Sequence, residues 1–325
     1  MDADEDQVLR LAPHAVVLRR SGTDLQVGVE PSVVVPTTYD RLVRALRTGA
    51  HRDDLSRTAY EQGLDPGAVP DLLVALGAAR LLAPTSTDPL PPVRVVGAGP
   101  LGSRTAHALV DAGFTTVYLA DLPAPTPPTE PTRRASGPAA SRSGPDRLDL
   151  LLATLAEAGP HVRVRRTRHF VQPEGDAVAL TVVVADGPEP DRLVPDLLRD
   201  AAAPHLLVRC SGDEAVVGPL VVPRSTSCVR CTDLARRDAD PRWPRLLTQL
   251  TRLRIAPSPT LLAWAPVTAA VQALAFVGGE GAETLGHTLE LGAGHHTLRL
   301  RPWPVHPECP CRWDVGTSDP GTDPA

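Results

Sequence analysis

Val93-Arg-Val-Val-Gly97-Ala-Gly99-Pro-Leu-Gly102-Ser-Arg-Thr-Ala-His-Ala-Leu-Val110 is the stretch that decides the fold. Val93–Val96 reads as a short buried strand, and Ser103–Ala112 as a helix. Between them the glycines follow Gly-x-Gly-x-x-Gly spacing. In that spacing the first glycine permits a tight turn and the second lets backbone approach a phosphate. The third lets the helix pack on the strand. The helix start offers unpaired N–H groups and a positive dipole end to an anion. A second strand, Val117–Ala120, ends at Asp121, about 20 residues further on, where an acid would take ribose hydroxyls. Gly97, Gly99, Gly102 and Asp121 are therefore candidate nucleotide-binding residues. A turn that keeps this shape and binds nothing reads the same way, because fold motifs outlast function.

Downstream the alternation continues. Helix Asp146–Ala158, strands Val162–Arg165 and Ala179–Ala185, helix Asp191–Ala202 and strand His205–Arg209 predict a Rossmann-like α/β domain with a parallel sheet. The segment Leu122–Pro145, rich in Pro, Ser and Gly, is too long for a compact connection. Helices at Pro244–Leu250 and Leu261–Phe276 follow, then strands Thr288–Leu291 and Thr297–Leu300 with His295 and His296 in the turn between them. The tail 316–325 reads as disordered. Upstream, strands at Ala15–Arg19, Leu25–Val29 and Val33–Val35 precede three short helices, the last near Pro66–Leu76. The expected organisation is a small α+β domain over 1–85, a proline-rich linker over 86–92 and the larger domain over 93–315.

Composition narrows the chemistry. The 325 residues carry a net charge of -5, which gives no general attraction to nucleic acid. The chain has no lysine and no asparagine, so its 33 basic residues are all arginine. A lysine Schiff base and a Walker-type phosphate loop are thereby excluded. No run approaches ~18 uninterrupted apolar residues, so no membrane span is expected. The acidic start, Met-Asp-Ala-Asp-Glu-Asp, is unlike a secretory signal, and a cytoplasmic location is expected.

Cys228-Val-Arg-Cys231 and Cys309-Pro-Cys311 supply four thiols in two close pairs. Structural zinc takes four such soft ligands in a tetrahedron. A redox Cys-x-x-Cys would explain the first pair but not the second. His306 is a neighbour that could replace one ligand. Cys210, ending an apolar strand, reads as a small buried hydrophobe more readily than as a nucleophile.

Taken together, residues 93–313 resemble the ThiF/MoeB/ubiquitin-activating family. The best local match is Val217-Gly-Pro-Leu-Val-Val-Pro223 running into Ser227-Cys228-Val-Arg-Cys231, like that family's strand, Gly-Pro turn and first cysteine pair. The resemblance implies ATP and Mg2+ as cofactors, with adenylation of a carboxylate on a peptide or small protein. It places Asp186 on magnesium and Arg147 where the family has a phosphate-contacting lysine. Pro100 stands for a usual glycine, and Pro123 for the second acid of an Asp-x-Asp pair. It also implies a homodimer. The N-terminal segment resembles the PqqD-like winged-helix domain that recognises leader peptides, in which the peptide adds a strand to a sheet edge. No Arg-dense recognition helix lies in 68–76, against a DNA-binding winged helix. Such a pairing of domains resembles the precursor-binding partner of azoline-forming cyclodehydratases, where the ThiF-like part is often catalytically silent. Three readings stay open: an adenylating enzyme, a silent leader-binding scaffold for a partner cyclodehydratase, and an NAD-dependent oxidoreductase resting on the Gly turn and Asp121 alone.

Overall fold

The computed structural model describes residues 8–83, 89–121, 147–168, 170–171, 177–292 and 294–312. The chain divides into two units, Met1–Asp88 and Pro89–Ala325.

In the first unit, β1 (Val8–Leu9) precedes a three-stranded antiparallel meander of β2 (Val17–Arg19), β3 (Asp24–Val27) and β4 (Val33–Pro36). Period-2 alternation buries Leu25 and Val27 and turns Gln26 to the other face. On that outer face Leu18, Gln26 and Val34 lie side by side, with both apolar residues exposed. Three helices follow: α1 (Asp40–Thr48), α2 (Arg52–Glu61) and α3 (Ala68–Ala78). Between the first two, β5 (Ala50–His51) pairs with β1. Helical spacing places Leu42, Val43 and Leu46 on one face, and they share a core with Leu25, Val27, Leu55, Leu72 and Leu76.

The second unit is built on an eight-stranded sheet. Its elements are β6 (Val93–Val96), α4 (Pro100–Asp111), β7 (Thr116–Ala120), α5 (Arg147–Ala156), β8 (Arg163–Arg166), β9 (Leu180–Ala185), α6 (Leu193–Asp200) and β10 (His205–Ser211). They continue with β11 (Glu214–Val221), α7 (Val229–Ala239), α8 (Trp243–Leu250), α9 (Pro259–Val277), β12 (His287–Gly292) and β13 (His295–Pro302). The sheet order is β13-β12-β11-β10-β9-β6-β7-β8, with β8-β7-β6-β9-β10 parallel and the remainder antiparallel. The chain thus winds outward from β6 in one direction and then restarts on its other side at β9. Ligands of doubly wound sheets bind at the carboxyl ends of the strands where this reversal falls.

Some local expectations shift. The helix after the Gly turn begins at Pro100, not Ser103, because proline suits a first helical position where no N–H is needed. Gly218-Pro219 lies inside β11 and is no turn, and α7, which starts at the first cysteine pair, was not anticipated. His295 and His296 belong to β13 by backbone pairing, so the turn falls before them. The segment 122–146 and the tail lie outside the described residues. Of the described helices, α9 alone, with 19 residues, is long and apolar enough to cross a membrane by length and composition, although Thr268 and Gln272 interrupt its apolar run. Part of this apolarity has a packing cause. Leu261, Ala265, Ala269 and Ala273 are fully buried against α4, β10 and β11, and small alanines allow the close approach.

His205 opens β10 fully buried, with Nδ1 3.0 Å from the Ala203 carbonyl and no partner for Nε2 among the described residues. Burial pushes its pKa down to about 4, assisted by Arg199 and opposed by the Ala203 hydrogen bond. The unfolded chain takes up a proton near pH 6.5 that the folded chain refuses until near pH 4. Stability should therefore fall by up to about 3 kcal/mol as pH drops through that window. In urea unfolding, His205→Gln should flatten that part of the stability–pH curve.

Candidate functional site

Three adjacent strands end at one edge, so Asp121 after β7, the Gly turn after β6 and Asp186 after β9 come together there. Gly97 has φ +115, a conformation costly for residues with a Cβ, and its N–H donates to the Ala120 carbonyl at 2.8 Å. A Cβ on Gly102 would collide with the Gly97 carbonyl oxygen, so only glycine lets α4 begin this close to the turn. A Cβ on Gly99 would collide with Asp186 Oδ2.

Both carboxylates engage the turn's own backbone. Ala98 N donates to Asp121 Oδ1 at 3.0 Å, and Leu101 N donates to Asp186 Oδ1 at 3.0 Å. Leu101 is the second residue of α4, so Asp186 caps that helix from another strand. Pro100, the first residue, has no N–H to offer. Arg147, at the start of α5, places NH2 3.8 Å from Asp186 Oδ2. At 61% side-chain exposure the guanidinium is mostly solvated, so the pair contributes little stability and leaves the arginine movable. All six residues singled out in sequence near this edge therefore meet there. Pro123 lies outside the described residues.

Cys210 is fully buried on β10, and burial, with Asp186 adding to it, pushes its thiol up to about 12. It is a packing residue, not a thiolate.

A charged network beside this edge was not foreseen. Glu189, three residues past Asp186, is 6% exposed and accepts from Arg192 at 2.8 Å, Arg236 at 3.1 Å and Arg209 at 3.3 Å. Arg192 also grips both oxygens of Asp233, to which Trp243 Nε1 donates. Arg236 lies between the Trp243 and Trp303 rings, 4.8 and 4.9 Å from their centroids. Burial alone would raise the Glu189 pKa, but Arg209, Arg192 and Arg236 outweigh it and hold it below the ordinary 4.5. Burial pushes Arg236 down to about 10 against the pull of Glu189 and Asp233. These residues come from the β9–α6 loop, β10, α7, α8 and the segment after β13. No local pattern marks them in sequence; the buried acid soon after a strand end was the available hint.

The four cysteines meet. Cys228 precedes α7, Cys231 lies in its first turn, and Cys309 and Cys311 sit at a short 3-10 turn over Pro310–Arg312. Sulfur separations are 3.8 Å for 228–231 and 3.6 Å for both 228–309 and 231–311, with all four within 4.8 Å. A tetrahedral ion with sulfurs at ~2.3 Å needs sulfur separations of about 3.8 Å. A disulfide would need ~2 Å, so the set suits a metal ion and not disulfides. His306 does not join it: Nε2 lies 2.8 Å from Asp238 Oδ2, and Nδ1 accepts from Glu308 N.

These features define a doubly wound fold with a nucleotide-type Gly turn at its switch point and a four-cysteine set capable of holding a metal. No family model and no curated protein matches the sequence. Among solved structures, the chain resembles E. coli MccB with ATP at a TM-score of 0.63 and 15% identity, over 93% of this chain and 98% of that one. It resembles the microcin C7 biosynthetic enzyme MccB in complex with N-formylated MccA at 0.62 and 16%, over 94% and 99%. A heterocyclase in complex with substrate and cofactor matches at 0.58 and 16%, over 94% of this chain but 39% of that one. The chain has the fold of MccB, and at the level of fold the ThiF/MoeB resemblance read from the turn and the cysteines holds.

Removing the Glu189 charge would take away the carboxylate that Arg192, Arg209 and Arg236 share. Glu189→Gln should cost about 3–5 kcal/mol in denaturant unfolding at neutral pH. Adding Arg236→Met should restore part of that loss. Elemental analysis should find one metal equivalent per chain, and Cys231→Ser should lower both that stoichiometry and the melting temperature.

Proposed function

We propose that this protein captures a peptide or small-protein substrate and supports its ATP-dependent carboxylate or amide activation, as an adenylyltransferase-type member of a peptide-modifying system. The observation that carries the reading is the convergence of Gly97, Gly99, Gly102, Asp121, Asp186 and Arg147 at the switch point of a sheet with the fold of MccB. MccB has been solved with ATP and with the MccA peptide, and the likeness spans 93–94% of this chain.

In this reading the Gly turn accepts the phosphates at the start of α4, once Asp186 has left Leu101 N. Asp121 turns from Ala98 N to the ribose hydroxyls. Asp186 holds Mg2+ through the carboxylate now on Leu101 N. Arg147 neutralises charge on the phosphates as a planar donor rather than a compact ammonium. ATP, when bound, would supply the adenylyl group, with pyrophosphate leaving. The four cysteines would hold zinc in a structural role, joining the start of α7 to the segment after β13; four protein ligands leave no open position for chemistry.

Residues 1–85 would act as a PqqD-like peptide-recognition domain. The meander has outer strands β2 and β4, and an added peptide strand would draw affinity from main-chain hydrogen bonds. α3 contains no arginine, which fits peptide rather than nucleic acid as partner. The reading includes a cytoplasmic location and a homodimer.

The second reading is a silent leader-binding scaffold serving a partner cyclodehydratase. Pro100 favours it, since a proline removes one N–H from the place where phosphate oxygens would be held. Calorimetric titration of the full chain with ATP and Mg2+, with NAD in a parallel arm, separates the readings. Micromolar ATP binding, weakened at least tenfold by Arg147→Met and by Asp121→Ala, is the expected result. Absence of ATP binding would leave the scaffold, and binding of NAD alone would move the protein to the oxidoreductases.

A further inference from the structure

Part of the phosphate position of the Gly turn is taken up by the protein itself. Two carboxylates already use the turn's donors, Asp121 on Ala98 N and Asp186 on Leu101 N, while the Gly97 N–H is committed to the Ala120 carbonyl. Pro100 supplies none. Asp186 is more than a distant counter-charge. Its Oδ2 occupies the volume that the absent Cβ of Gly99 opens, the space through which a phosphate would approach the backbone. A single N–H at Leu101 cannot serve both a carboxylate and a phosphate oxygen at full strength. Among the described residues, two carboxylates bond this turn and one ion pair, from the solvated guanidinium of Arg147, reaches them.

We propose that Asp186 is a gate on this site: it stands in for a phosphate when the site is empty and admits a polyphosphate only when a divalent cation gives its carboxylate another partner. The inference rests on the nucleotide reading of the turn and adds a regulation to it. Metal-free ATP is disfavoured twice, by the occupied Leu101 N–H and by the Asp186 carboxylate at hydrogen-bonding distance from it. With the cation, Asp186 swings off Leu101 N, the α4 terminus is uncovered, and the charge opposing the phosphates is neutralised. Arg147 is suited to such a motion, being exposed and only loosely held at 3.8 Å. The cap is then not lost on binding but exchanged, an anionic oxygen of the ligand replacing an anionic oxygen of the protein at the helix N-terminus.

The test uses the full chain in two variants. Asp186→Asn removes the charge but keeps an oxygen able to accept from Leu101 N, whereas Asp186→Ala removes both. ATP binding is titrated in Mg2+ and in EDTA, and inorganic pyrophosphate in EDTA is read as a shift in melting temperature. The wild type should bind ATP at least tenfold more weakly in EDTA than in Mg2+. In EDTA both variants should bind ATP at least tenfold more tightly than the wild type, Ala at least as tightly as Asn, and pyrophosphate should stabilise the variants alone. If ATP with Mg2+ binds the wild type but neither variant gains metal-free binding, the gate is wrong and the nucleotide reading stands. If ATP binds nothing while pyrophosphate stabilises only the variants, the gate stands and the nucleotide reading fails. If neither anion affects any of the three proteins, both fall.

Discussion

The close approach of α4 to the end of β6 is the constraint on which the rest of the second unit depends. Gly102 sits where any Cβ would strike the Gly97 carbonyl oxygen, and Gly97 holds φ +115 to turn the chain back over the strand. Because the helix starts this near the sheet, its first free N–H points at the ends of the neighbouring strands. Asp186 is the residue that β9 delivers there, and Asp121 is the residue delivered by β7. β6 and β7 end level and β9 runs two residues further, so three successive strand ends become one site. The same closeness lets α4 pack on α9, whose fully buried alanines take little space.

The opposite flank is held by charge instead of close packing. Glu189 is within three residues of Asp186, and its arginines reach it from β10, α7 and the loop into α6. Since α7 begins at Cys228 and Cys231, the cysteine set, the arginine network and the exit of β9 form one connected assembly. Burying three guanidiniums and two carboxylates is costly unless each is bonded. The bidentate grip of Arg192 on Asp233 and the stacking of Arg236 between two indoles reduce that cost in ways lysine could not, because only a planar guanidinium forks and stacks. An all-arginine composition therefore has a structural use here, whatever produced it.

How much of this could be read in advance follows from the range of the interactions. The Gly turn, Asp121 and the alternation of strands and helices are local patterns, and they placed β6, β7, β9 and β10 within a few residues. The cysteine pairs were legible because metal ligands come as close doublets. The buried run that became β11 was read as a turn at Gly218-Pro219, since those two residues punctuate chains more often than they continue strands. α7 carries a helical stripe of only Val229, Cys231 and Thr232 among buried residues, too thin to announce a helix. The hydrogen bonds of the Glu189 network join residues up to 47 apart, and the Arg236–Trp303 contact reaches further still, with no period at all. α9 is apolar on its buried face, with Leu261, Ala265, Ala269 and Ala273, and also on its exposed face, with Val267 and Val271; Thr268 and Gln272 interrupt the apolar run. Gln272 is itself buried, accepting from both Thr284 N and Thr284 Oγ1.

The relation between the two leading readings of function comes down to donors and charge at one helix terminus. A phosphate turn works by presenting several unpaired N–H groups to an anion, and its affinity grows with the number left free. In this chain one donor is removed by Pro100 and two are satisfied by carboxylates. A guanidinium stands in place of a compact ammonium. Each change lowers the affinity of the bare turn for phosphate without disturbing the fold, because the Gly97–Gly102 contact does not involve them. The Gly97–Gly102 contact keeps the fold whatever occupies Leu101 N. On the gate proposed above, an active enzyme and a silent scaffold would share one architecture and differ in whether Asp186 leaves Leu101 N.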